Sequence, residues 1–88
     1  MSEIARLMPP DIWMQHIFDA KAARSGGVVR RSLRDIERTV GWPRFAAELE
    51  RRGYHAVENS GQVVIFCNNA PIRVLVRKAF RRLFGKLF

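Results

Sequence analysis

The sequence predicts a small, single α+β domain: helix, strand, helix, helix and β-hairpin in that order, closed by a basic amphipathic helix over residues 71–88. Three observations predict it. Pro9-Pro10, Gly26-Gly27, Gly41-Trp42-Pro43 and Asn59-Ser60-Gly61 divide the chain into pieces of helix and strand length. Apolar residues recur at helical spacing in three stretches, and β-branched residues concentrate in two others. With 88 residues and 48% hydrophobic content, one modest core is possible, burying roughly 60–65% of the unfolded surface. The expected division is an α+β domain over residues 1–70 and the basic helix over 71–88.

The first helix spans residues 10–24, opened by proline and closed by glycine. Trp13, Ile17 and Ala20 form its stripe, with Met14 and Phe18 beside it. Val28-Val29-Arg30-Arg31 follows a double glycine and reads as a short strand. Ser32 can cap the next helix with Asp35 at its third position, a shortened capping box, and Leu33, Ile36 and Val40 share one face. Gly41 ends that helix and Pro43 begins a third over residues 43–52, with Trp42, Phe45, Ala46 and Leu49 inward and Gly53 at its close. Residues 54–58 and 62–67 flank a turn of Asn, Ser and Gly, which makes a hairpin. Both faces of Val63-Val64-Ile65-Phe66-Cys67 are apolar, so this strand should be central or covered on both sides.

Charge is distributed unevenly. Arg73, Arg77, Lys78, Arg81, Arg82 and Lys86 lie in residues 71–88 without an acid, so six of the eight net positive charges sit there. On a helix, Leu75, Val76, Phe80, Leu83, Phe84 and Leu87 take an arc of about 180° opposite most of those cations, and Phe88 extends that apolar face. Ile72 to Val76 also reads as a strand leading into a helix from about Arg77. Two further basic groups are Arg30, Arg31, Arg34 and Arg38, with Arg34 and Arg38 on one helix face, and Arg51 with Arg52. Thirteen arginines against three lysines favour phosphate, which guanidinium binds bidentately.

Catalytic and metal chemistry have little to stand on. His16, His55, Cys67, Asp11 and Asp19 form no metal-ligand spacing. A dyad of Cys67 with His55 is conceivable across the hairpin, but an apolar neighbourhood makes Cys67 a small core residue. The glycines at 26 and 27 precede a strand, whereas a phosphate-cradling loop precedes a helix. A single cysteine fits a reducing cytoplasm, the N-terminus does not read as a signal peptide, and no run of about 18–20 apolar residues spans a bilayer.

The order of elements over residues 10–67 resembles a winged helix, a helix-turn-helix followed by a β-hairpin wing. The resemblance implies that the third helix is the recognition helix. That helix carries Arg44, Arg51 and Arg52 with Glu48 and Glu50, for a net charge of only +1. The stretch GGVVRRSLRDIERTVGWPRF, with ELERRGY, GQVVIFCN and PIRVLV, is also similar to a group of short alphaproteobacterial proteins, some of them labelled phosphoribosylanthranilate isomerase. That label implies an isomerase whose family members look like (β/α)₈ barrels of about 200 residues or more; 88 residues hold at most three such units.

The expectation is therefore a cytoplasmic, non-enzymatic, cofactor-free protein that binds nucleic acid, DNA in particular, through its arginines and its basic C-terminal helix. The alternative is a peripheral protein docked through that helix on an anionic surface of the inner membrane or on an acidic protein partner. An isomerase is the remote third reading.

Overall fold

The computed structural model describes residues 8–76. Among them are four helices, α1 (Pro10–Asp19), α2 (Lys21–Arg24), α3 (Leu33–Thr39) and α4 (Trp42–Arg52). The strands are β1 (Val28–Ser32), β2 (His55–Asn59) and β3 (Gln62–Phe66), in one antiparallel sheet of order β1-β3-β2.

The expected first helix is broken at Ala20, whose ψ of 147° is extended. Helical phase explains the break. At about 100° per residue, an unbroken helix would set Lys21 about 40° from Ile17 and Arg24 about 20° from Trp13, inside the buried stripe. The interruption leaves both cations exposed and lets Ala23 enter the core instead.

The α3–α4 corner follows the sequence. Ser32 Oγ accepts the Asp35 N–H at 3.2 Å and caps α3. Gly41 turns the chain with φ 87°, and its N–H reaches the Ile36 carbonyl at 2.8 Å. Trp42, one residue earlier than expected, begins α4; its N–H donates to Glu37 Oε2 at 3.3 Å, which ties the two helices together. Gly53 closes α4 in the left-handed region.

Strand β3 is central, as its two apolar faces predicted. It pairs Val29 with Ile65 on one side and Ala56 with Ile65 on the other. Val63, Ile65 and Cys67 are buried towards the helices with Val29, while Val64 and Phe66 are half-buried on the opposite face. Against the inner face pack Trp13, Met14, Ile17, Phe18, Ile36, Phe45 and Leu49. Phe45 is fully buried, its ring 6.0 Å from that of Phe18 and 5.9 Å from that of Trp42. The hairpin turns through Ser60 and Gly61, both at positive φ (50° and 79°), a combination that suits the twist of a two-residue loop.

One expectation is corrected. Residues 71–76 form neither the beginning of a helix nor a strand. Leu75 and Val76, placed on the apolar face of that helix, are 84% and 90% exposed. Ile72, Val74 and Val76 are β-branched and lose rotamer freedom in a helix, which works against helix formation here. The remainder of the expected helix, residues 77–88, lies outside the described residues.

Two substitutions test this packing. Phe45→Ala should cost about 3–5 kcal/mol in urea unfolding. Ser60→Asn, which tolerates the left-handed region better, should raise stability by about 0.5 kcal/mol; a lower melting temperature would contradict the turn geometry.

Candidate nucleic-acid interface

The arginines named from the sequence fall into two physical classes. Val29 faces the core, so strand alternation sends Arg30 to the open face of the sheet, where it is exposed. Arg31 turns back towards the helices beside Val63 and donates from Nη1 to the Arg30 carbonyl; burial pulls its pKa below the usual arginine value. Arg34 and Arg38 stand exposed one turn apart on α3. Among the described residues, none of these four is paired with a carboxylate. Glu37 lies between Arg34 and Arg38 in sequence, and its Oε2 accepts the Trp42 N–H.

The cations of α4 are engaged within the domain. Arg44 pairs with Asp11 at the start of α1. Arg51 grips Glu48 through Nη2 to Oε2 at 2.6 Å and Nε to Oε1 at 3.2 Å, and Arg52 Nε reaches the same Oε2 at 2.6 Å. The hydrogen bond from Arg51, more than that from Arg52, holds the Glu48 carboxyl down to about 2. The guanidinium of Arg52 also lies 4.4 Å from the centroid of the Phe18 ring and 6.0 Å from that of Tyr54. Arg51 and Arg52, proposed from sequence as part of a binding surface, thus have structural partners. Arg73 is exposed. Arg77, Lys78, Arg81, Arg82 and Lys86, with Phe80, Leu83, Phe84, Leu87 and Phe88, lie outside the described residues.

Cys67 and His55 are not brought together. His55 pairs with Phe66, which places its ring on the face of the sheet away from the helices, where Nε2 is buried with no hydrogen-bond partner among the described residues, whereas Cys67 is buried on the helix side. Burial pushes the Cys67 thiol up. Among the described residues no group of three or more His, Cys, Asp or Glu could hold a metal ion, and no helix is long and apolar enough to cross a membrane.

A cleft of about 410 Å³ opens between α3, the start of α4 and the hairpin. Leu33, Trp42, Ala56 and Val63 give it apolar walls, and Glu37 and Glu58 supply acidic groups. Sequence reasoning missed it because its walls come from three elements separated in the chain. Comparison with protein families, curated proteins and solved structures found no match.

The Glu48 clamp gives a pH prediction. A carboxyl held below its ordinary value of 4.5 stabilises the fold above that value and loses the contribution as pH falls towards 2. Glu48→Gln should therefore be less stable than the parent at pH 7, with the difference shrinking between pH 5 and pH 2 in urea unfolding. A difference independent of pH would remove the ion pairs as its cause.

Proposed function

We propose that this chain is a winged-helix-like DNA-binding protein that holds the phosphate backbone through Arg30, Arg34 and Arg38, with the cations of residues 73–86 adding to the same charge. Element order and the sheet order β1-β3-β2 support the winged-helix part of the reading. One observation carries the choice of surface: among the described residues, the cations of β1 and α3 have no carboxylate partner, whereas those of α4 are held by Asp11 and Glu48.

This favours backbone contact over base readout. A helix that must break its own ion pairs to meet a groove gains little from doing so. The hairpin turn, with two residues at its tip and Glu58 close by, is short and acidic for a groove. Affinity would come from counterion release, independent of sequence.

A second reading rests on a separate observation. Ile72, Val74, Leu75 and Val76 are exposed beside Arg73, the juxtaposition of apolar and basic groups that docking on an anionic membrane or an acidic partner requires. Flotation with vesicles containing anionic lipid tests it: co-flotation lost on removing residues 72–88 supports it, and unchanged flotation excludes that segment.

For the DNA reading, log K on a duplex of arbitrary sequence should fall with log salt at a slope of about −4 to −5. Arg34→Ala/Arg38→Ala should flatten that slope by about 2, while Arg51→Ala leaves it unchanged. Absence of binding at low salt, or equal effects of the two variants, would overturn the assignment.

A further inference from the structure

Strand β2 is an edge. It pairs only with β3 among the described strands, and Val57, Glu58 and Asn59 are exposed along it. Hydrogen-bond parity tells which of its backbone groups are free. The two-residue turn makes Asn59 and Gln62 a hydrogen-bonded pair, so His55, Val57 and Asn59 bond to β3. The Cys67 N–H bonds to the Gly27 carbonyl at 2.9 Å on the β1 side, which agrees with that parity. Ala56 and Glu58 therefore present their N–H and C=O groups outward. Their side chains line the cleft.

Residues 72–76, Ile-Arg-Val-Leu-Val, are the complement of this edge. They are rich in strand-forming residues, lack regular structure and are exposed, Leu75 at 84%. We propose that this segment adds as an antiparallel fourth strand to the β2 edge of a second copy of the chain, with Arg73 opposite Glu58 and Leu75 opposite Ala56. This pairing does not rest on the nucleic-acid reading, and it takes Arg73 out of the cations counted there towards phosphate.

The register follows from chemistry. With Arg73 and Leu75 on the cleft side, Arg73 meets the Glu58 carboxylate, and Leu75 comes beside the cleft walls formed by Leu33 and Trp42. Glu58 Oε2 already accepts the Gly61 N–H at 2.7 Å, leaving its other oxygen for Arg73. Ile72, Val74 and Val76 then lie on the opposite face, extending the rows that contain Val57, Val64 and Phe66. A parallel strand of the same facing would set Leu75 against Glu58 and Arg73 against Ala56.

Reach requires the second copy. Asn68 is fixed beside β1 by its side-chain bond to the Gly26 carbonyl at 3.0 Å. Four residues from there to Ile72 span at most about 14 Å. To place its own Ile72 opposite Asn59, the chain would run back about 20 Å along β3 and also cross two strand spacings of about 4.8 Å each. Two copies related by a two-fold axis can exchange the segment reciprocally.

Sedimentation velocity on the 88-residue chain, over a micromolar to sub-millimolar series, tests the proposal. The expected result is a species of twice the 10.2 kDa chain mass. Leu75→Pro removes an N–H aimed at β2 and should abolish that species. Val74→Pro, whose N–H points away from β2, should retain it. Glu58→Arg or Arg73→Glu alone should weaken pairing about tenfold, because each acts twice in a symmetric dimer; the double reversal should restore it. Circular dichroism checks that each variant keeps the fold. A monomer at every concentration, proline variants that behave alike, or a double reversal no better than the single ones would overturn the proposal.

Discussion

Everything in this domain hangs on the alternation of β3. Its odd residues, Val63 and Ile65, and Cys67 just past its end, send their side chains into the core and their backbone groups to β1. Its even residues, Gln62, Val64 and Phe66, face outward and bond to β2. A slip of one residue would exchange both sets, placing Gln62, Val64 and Phe66 in the core. The same alternation turns Val29 inward and Arg30 outward, and it leaves the free backbone groups of β2 on the residues that line the cleft. Core, basic surface and open edge are thus consequences of one register.

The arginines divide according to what lies within reach. Arg52 sits over the Phe18 and Tyr54 rings at the end of α4 and shares Glu48 with Arg51. The contact of half-buried Arg52 on the buried Phe18 ring contributes about 0.5–1 kcal/mol, and the solvent-screened pair of Arg51 with Glu48 adds little. These are small energies, but phosphate bound at α4 would have to displace Glu48 first. Arg34 and Arg38 carry no such cost among the described residues. A helix with a net charge of only +1 and its arginines already held therefore serves better as a bracket between α1 and the hairpin than as a reader of bases.

Local chemistry was legible in the sequence wherever it was decided by neighbours. Ser32 with Asp35, the turn at Gly41, the close of α4 at Gly53 and the central position of β3 all follow from residues a few positions apart. The break at Ala20 was missed because cap signals at both ends of residues 10–24 outweighed phase; counting 100° per residue as far as Arg24 would have exposed the conflict. A helix was expected over residues 71–88 because its wheel fitted from Leu75 onward; over the described residues 71–76 the β-branched side chains oppose that conformation, and residues 77–88 lie outside the described residues. Arg44 and Asp11 are 33 positions apart, and the cleft combines α3, α4 and the hairpin. No local pattern announces such contacts.

A three-stranded sheet with its described helices on one face leaves a problem that the described residues solve only in part. Among the described residues, apolar side chains remain on the other face, and β1 and β2 each keep an edge without a partner strand. Proteins blunt such edges with charges that an indiscriminate partner strand would have to bury. On β2 that charge is Glu58, and its carboxylate stands at one of the two positions whose backbone groups are free. An apolar strand laid across it would strand the charge against a hydrocarbon side chain. A strand that brings a cation to the same position meets a partner instead, and residues 72–76 carry one at Arg73, two residues from the leucine that suits Ala56. The carboxylate that protects the edge also selects what can cover it.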